Sequence, residues 1–474
     1  MKRILLIFCL LFLGIKGFSQ QFSQYNTGTL YDSFENPSQR AFVPDTSKTY
    51  AFNFLIPNFN ANFLLTGNAQ QSLVSRIFTG KFNNSALTLG NGSPNNGNLN
   101  ANAYLLMFKL FASLNGDEEI GFFAETKADG RTGFTDETVA LFNGPAAFPN
   151  NIYNNTFNDN FHYQIYNAIG LSYREKLSDQ FAVGIKLGLL MGIDYTRLNI
   201  YESHVSFDNS TDAAVLSLRG QYEVSKGPGK FDSRSYLPTT RSPGAQISIG
   251  TSYQTDDHIT FQGNIKDLGF IHWYSASTIS NFNSTTTITG LSGLTPRKQV
   301  DSLYDSAFRL LGGNPKYHSL TTYTDGRFEL SATKSYYLDA DNSIKYSPTL
   351  IASKELLYNG FAGAMVNHFQ YKNYHVSVTA SYDNQDLFNV GLQFMLKSHN
   401  NEFFIGSDRL IQTVGLASST ASYTNGAYTG ASIFMGFSLK FGPVIEHPLN
   451  ASTIPTGEKG FIGRLWNRLF KTYH

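Results

Sequence analysis

The stretch FAVGIKLGLLMGID, residues 181–194, decides the fold. Phe181, Val183, Ile185, Leu187, Leu189, Met191 and Ile193 recur at every second position, with Ala182, Gly184, Lys186, Gly188, Leu190, Gly192 and Asp194 between them. Successive side chains of a strand point to opposite faces, so a period of two predicts a long strand with one apolar and one wetter face. The preceding segment repeats the pattern. From Phe161 to Arg174 one face carries Phe161, Tyr163, Ile165, Ile169, Leu171 and Tyr173, broken only by Asn167. The other carries His162, Gln164, Tyr166, Ala168, Gly170, Ser172 and Arg174. Phe388–Lys397 alternates again: Phe388, Val390, Leu392, Phe394 and Leu396 against Asn389, Gly391, Gln393, Met395 and Lys397.

A soluble β-sandwich would alternate too, but three features predict a membrane barrel. The alternating runs exceed the usual strand length of about 5–6 residues. Their second face is rich in Gly, Ser, Asn and Gln rather than Lys and Glu, as a wet lumen would be. Aromatics such as Phe161, Tyr173, Tyr195 and Tyr201 stand near strand ends, where interfacial girdles form. Connections alternate in length as well. Short polar turns at Asn115–Glu118, Leu177–Gln180, Thr255–His258, Tyr371–Asn373 and Ser398–Asn401 are separated by long stretches at 131–156, 202–243, 275–317 and 410–429. That is the pattern of short periplasmic turns and long outer loops. The expected fold is an all-β transmembrane antiparallel barrel of about 14 strands spanning 48–441; segments 59–66 and 213–224 also look extended and leave 16 open.

Composition sets the outer bounds. Aromatic and charged residues each make up 15% of the 474, and Lys+Arg exceeds Asp+Glu by one. Such a balance gives no electrostatic footprint for nucleic acid. Mean hydropathy of −0.22 excludes a multi-span helical membrane protein, and the aromatic content excludes disorder. Met1-Lys2-Arg3, the apolar run Ile4–Ile15 and the small residues Gly17 and Ser19 read as a secretory signal peptide over 1–19, cut near Ser19/Gln20. The run falls short of the ~20 apolar residues that span a bilayer. Cys9, the only cysteine, lies within it, so the mature chain is expected to carry no disulfide and no Cys-ligated metal. Outer-membrane localisation follows, with membrane lipid as the first partner.

Three pieces fall outside the expected ladder. Residues 20–47, containing Asn36-Pro37-Ser38, read either as a lumen plug or as a periplasmic lead-in with a turn at Asn36-Pro37. Pro296–Leu311 reads as an outer-loop helix, with Thr295 as cap, Gly312 as stop and Val300, Leu303, Tyr304, Ala307, Leu310 and Leu311 as its stripe. In the tail, 442–474, Phe461, Ile462, Leu465, Trp466, Leu469 and Phe470 recur at helical spacing beside Lys459, Arg464, Arg468 and Lys471. A basic amphipathic helix of this kind is interfacial: it could lie on the inner leaflet, dock under the barrel or bind a periplasmic partner. The last strand shows Ile433, Met435, Phe437, Leu439 and Phe441 on one face and resembles the C-terminal strand by which outer-membrane barrels are recognised for insertion.

The chemistry-bearing patterns are sparse. No H-E-x-x-H, Walker loop or G-x-S-x-G occurs. Asp339-Ala340-Asp341-Asn342-Ser343 begins like a calcium loop but has Ile344 at the sixth place and Leu350 at the twelfth, and reads as a hairpin turn. His375 and Ser377 share a strand face with Thr379, which by parity is the lumen face. No catalytic residue, cofactor or metal is expected. Asn264-Ile265-Lys266-Asp267-Leu268-Gly269-Phe270-Ile271 and Phe404-Ile405-Gly406-Ser407-Asp408, with the Ser19/Gln20 start and the Asn-, Tyr- and Phe-rich strands, resemble an uncharacterised family of outer-membrane barrels from Bacteroidota-type bacteria. More distantly the chain is similar to long-chain fatty-acid transporter barrels and, through Phe22-Ser23-Gln24-Tyr25, to barrels of type IX secretion. The motifs name no ligand; the expected function is a transporter or channel-like barrel for a small solute, a hydrophobic one included. The alternative is a non-catalytic scaffold for surface secretion or gliding, meeting a periplasmic or cell-surface protein through its tail or outer loops.

Overall fold

A computed structural model describes residues 22–474, except 44–45, 113–116, 209–211, 226–239, 275, 291–292, 314, 358–359, 384–386, 419–427, 446–459, 463 and 465–474. Fourteen antiparallel strands close into one barrel. They are β1 (Lys48–Phe52 continued by Asn58–Thr66), β2 (Pro94–Phe111), β3 (Glu118–Thr135), β4 (Asn160–Lys176), β5 (Phe181–Asp208), β6 (Pro243–Gln254) and β7 (Ile259–Trp273). There follow β8 (Leu320–Tyr323 continued by Arg327–Lys334), β9 (Ile344–Glu355), β10 (Phe361–Tyr371), β11 (Tyr374–Asp383), β12 (Phe388–Lys397), β13 (Asn401–Ser407) and β14 (Tyr428–Val444). Each pairs with its sequence neighbour, and β14 returns to β1 through Phe59↔Met435 and Phe52↔Leu439. Closure leaves no unpaired edge except beyond the end of β13, where a helix stands in for the strand; an open sheet could not achieve this in lipid.

The choice between 14 and 16 strands turns on two local features. Residues 59–66 are no separate strand. Both parts of β1 pair with β2 and β14, and the chain between them buckles outward. Asn53 holds the buckle, accepting from the Met107 N–H at 3.0 Å and donating to the Ile56 carbonyl at 2.9 Å, while Phe54 and Leu55 take positive φ. Ala213–Val224 is a strand, but it stands above the upper rim, where it pairs with the far end of β5 and with Thr278–Thr289.

Burial follows the expected alternation. On β5, Leu187 and Leu189 are exposed and Lys186 and Leu190 are buried. The phase slips at Ile193, where a bulge opposite Ile165/Tyr166 adds a residue and turns Ile193 inward, and again at Tyr201, the extra residue between the Ile200↔Gly220 and Glu202↔Arg219 pairs. Asn167, the break in the outer face of β4, accepts from the Thr126 hydroxyl at 2.6 Å. The short turns named from the sequence, both ends of the barrel ladder and the described start of the tail helix share the lower rim; the long connections share the upper one, together with the short ones that follow Glu355 and Asp383. Helix α4 (Pro296–Leu311) has the expected bounds; α1 (Leu30–Glu35), α2 (Ala69–Thr79), α3 (Asp136–Ala140) and α5 (Leu410–Ser418) precede and follow it.

β13 is the shortest strand of the wall. Above the Leu392↔Ser407 pair, α5 takes its place and packs against β14 and β12. There Thr413 bonds the backbone of Ser432, and the Tyr428 hydroxyl donates to Asn389. Sequence reading placed an outer loop at 410–429 and missed this helix, because α5 lacks charges that would mark a polar face. Among the described residues no helix is long and apolar enough to cross a membrane, which says nothing of a barrel.

Candidate functional site

The lumen contains the N-terminal segment. Residues 22–43 run through it, and wall strands around the circumference contact them. The Leu30 N–H donates to Glu402 of β13 at 2.9 Å, Lys109 of β2 to the Ser33 carbonyl at 3.2 Å and Arg174 of β4 to the Ser38 carbonyl at 2.9 Å. Asn264 of β7 donates to the Glu35 carbonyl at 3.2 Å, Lys397 of β12 to the Gly28 carbonyl at 2.7 Å and Lys440 of β14 to the Ala41 carbonyl at 2.8 Å. Glu119 of β3 accepts from the Ala41 and Phe42 N–H groups at 3.1 and 3.3 Å. Among the described residues no backbone–backbone bond joins 22–43 to the wall. α1 forms because Thr29 caps it, its hydroxyl accepting from the Asp32 N–H at 3.1 Å. The helix buries Leu30, Tyr31 and Phe34 against Tyr104, Phe123 and Phe404.

The wall face around α1 is charged, which corrects the expectation of an inner face poor in Lys and Glu. Lys186 lies 3.3 Å from Glu125 and 3.6 Å from Asp267; Lys127 pairs with both of the same carboxylates. Lys266 joins Glu35 of α1 at 2.7 Å to Glu329 at 3.8 Å, and Lys440 meets Glu402 at 2.7 Å. Buried charges persist only when paired, and here opposite signs from six strands and α1 interlock. The sequence signal was a single charge at the inward phase of many strands. The pairing crosses strands distant in sequence and cannot be read along the chain. A polar cavity of about 60 Å³, bounded by Gln24, Asp32, Glu35, Lys127 and Lys266, lies against α1. The Gln24 amide, buried with no protein partner for either atom, gives waters there a partner. Above it opens a vestibule of about 750 Å³ whose wall mixes Arg131, Arg197 and Asn199 with Leu320, Tyr323 and Leu357.

Four stretches marked in the sequence, 264–271, 404–408, Phe22–Tyr25 and Asn36–Ser38, meet in this lumen. Asp267 takes φ +52° in a β7 bulge, which sets Lys266 and Asp267 side by side facing inward. Asp408 accepts from the Ser23 N–H at 3.1 Å and the Ser23 hydroxyl at 2.6 Å. Asn36 donates to Gln262 at 3.3 Å, and its own oxygen accepts from the Ser38 N–H at 3.1 Å. Pro37 lies on a glycine: a Cβ at Gly184 would stand 2.0 Å from the Pro37 carbonyl oxygen. Gly184→Leu is therefore expected to cost about 1–3 kcal/mol of docking by overpacking. Amide exchange should speed in residues 30–43 and stay unchanged in the wall; equal exchange in both would mean the contact does not hold the segment.

The remaining sequence-marked residues lie elsewhere. Ile433 and Phe441 point outward and are exposed; Met435, Phe437 and Leu439 are half-buried on the same face of β14, beside the seam with β1. Of the tail, Phe461 and Ile462 begin a helix, and the Ile462 N–H donates to Glu175 of the lower rim at 2.8 Å. Leu465, Trp466, Leu469 and Phe470, like the leader and its cut at Ser19/Gln20, lie outside the described residues. Ser377 and His375 face the lumen, where His368 bridges them at 2.8 and 3.0 Å; Thr379 bonds the Ser23 hydroxyl at 2.9 Å. Asp339 accepts from the Ser343 and Ile344 N–H groups at 3.0 and 2.9 Å, within its own turn.

A closed barrel with an apolar outside, a charged inside and its own amino-terminal segment within is the class this geometry defines. A model of a family of unknown function, DUF5723, matches residues 41–408, and the chain belongs to that family. No curated protein matches it. Among solved structures it is similar to the Pseudomonas putida toluene transporter TodX, at 10% identity and a TM-score of 0.34, over 91% of this chain and 100% of that one. A Pseudomonas aeruginosa FadL homologue gives 9% and 0.40, over 88% and 95%. The translocator domain of the autotransporter NalP from Neisseria meningitidis gives 7% and 0.33, over 84% and 90%. At these values the likeness adds nothing to the strand order and pairing of the barrel itself.

Proposed function

We propose that the chain is an outer-membrane barrel that passes a small, partly apolar solute from the vestibule through the lumen when the N-terminal segment yields. One observation carries this reading. The segment fills a wet lumen yet, among the described residues, is held to the wall through side-chain bonds and packing and not by the ladder, so it can shift without breaking the barrel's strand pairing. The outer face supports the location: Leu171, Leu187, Leu189, Leu350, Phe388 and Ile433 are exposed around the wall, an apolar belt that lipid would cover. The mixed lining of the vestibule suits a solute with both apolar and polar parts.

The scaffold reading draws on the tail. Glu175 fixes its first helical turn under the rim, while Phe461 stays 68% exposed. Two assays on the native host separate the readings. Uptake of small labelled amphiphiles should fall on deletion of the gene and return with a chain lacking 459–474. A surface or periplasmic protein that co-purifies only with the intact tail, together with unchanged uptake in the deletion strain, would overturn transport.

A further inference from the structure

Above the upper rim the chain builds a second, separate core. The far end of β5 pairs with Ala213–Val224 at Val205↔Leu216, and that strand pairs with Thr278–Thr289 at Ala214↔Ile288. The amphipathic helix α4 lies across this three-stranded patch, burying Leu303 and Leu311 among Val205, Leu216 and Ile288. Tyr304 stacks on Phe142 at 5.0 Å and donates to the Thr138 carbonyl at 3.4 Å, which ties α4 to the neighbouring outer loop. The fit is incomplete. Between helix and sheet lies a cavity of about 160 Å³, walled chiefly by Ile200, Leu216, Leu303, Ala307, Phe308 and Leu311.

Apart from Thr138, Asp159 and Tyr304 the cavity wall is apolar. Its polar borders are already engaged: Asp159 accepts from the Thr138 hydroxyl at 2.7 Å and the Thr135 N–H at 3.1 Å. Burial pushes the Asp159 carboxyl up to about 6, against those two bonds and with help from Glu137 nearby. A buried water needs two to four polar partners, whereas a dry cavity of about 150 Å³ lined by Leu, Ile and Phe holds benzene or xenon. A void of this size is also costly to leave open. The chain carries a phenyl ring that could close it, yet Phe308 borders the cavity with 61% of its surface exposed. β5 separates this cavity from the lumen entrance, showing Leu198 and Ile200 to the one and Arg197 and Asn199 to the other.

We propose that the cavity under α4 is a binding site for an uncharged apolar molecule of about the bulk of one benzene ring, with Phe308 at its mouth. It stands beside the vestibule as a capture site on the outer surface, and it is independent of whether the lumen conducts. Crystals of the full chain pressurised with xenon test it without interference from detergent. A xenon peak is expected between Leu216 and Ala307 in the wild type and none in Ala307→Phe. Ala307→Leu serves as the milder filling variant. Fluorobenzene, followed by fluorine NMR on protein in lipid nanodiscs, should bind the wild type at least tenfold more tightly than Ala307→Leu, and benzenesulfonate should not bind. Ordered waters in the cavity, xenon absent from the wild type, or fluorobenzene binding unchanged by Ala307→Leu would each overturn the site. Solute uptake is measured separately, so its loss or survival bears on transport alone.

Discussion

Deleting residues 22–43, with residues 1–21 kept, is expected to turn a silent protein into an open pore in a planar lipid bilayer. The wall does not depend on the segment for its ladder: all fourteen strands pair with one another, and only side-chain bonds and packing join the segment to them. Nor would the deletion strand charges in a dry space. Lys109, Glu119, Lys266 and Glu402 lose partners on the segment, but water enters in its place and hydrates them. Unitary current steps should appear where the full chain shows none, and cells should become sensitive to antibiotics too bulky for their ordinary porins. Silent bilayers from correctly folded truncated protein would mean that the segment is not what closes the lumen.

The second large effect is on stability. Glu402 is 1% exposed and gathers three donors: Lys440 at 2.7 Å, the Ser438 hydroxyl at 2.8 Å and the Leu30 N–H at 2.9 Å. Removing one partner of a buried ion pair leaves the other uncompensated, which costs about 3–5 kcal/mol. Glu402→Ala should lower the urea midpoint of the folded protein in micelles accordingly. The double variant Glu402→Leu/Lys440→Met removes both charges and should recover most of the loss. If the double variant proved no more stable than Glu402→Ala, the cost would lie in packing and not in the stranded ammonium.

Fold and lumen were legible to different depths for physical reasons. The wall strands and their orientation followed from a period-two signal, which every strand repeats independently, while the count stayed open between 14 and 16. The buckle at Asn53 and the bulges at Ile193 and Asp267 were hidden, since one added residue leaves composition unchanged while reversing which way the following side chains point. Lys266-Asp267 and Ser407-Asp408 were visible as part of family-like motifs without a reason. The reason is a meeting in space: Asp408 bonds Ser23 and Lys266 bonds Glu35, contacts between residues hundreds of positions apart. Helix α4 was legible because proline, stop and stripe are all local, although the Thr295 hydroxyl makes no capping bond. The void beneath it was not, because a cavity is a property of three elements together.

A hoop yields at its thinnest sector. Nearly all of this one is riveted by main-chain bonds, but in the outer half between β12 and β14 the stitching among the described residues runs through side chains, Tyr428 to Asn389 and Thr413 to Ser432 among them. Tension applied around the circumference therefore concentrates on a few hydroxyls, and rupture of the wall should begin there and nowhere else, leaving the original β1–β14 join untouched.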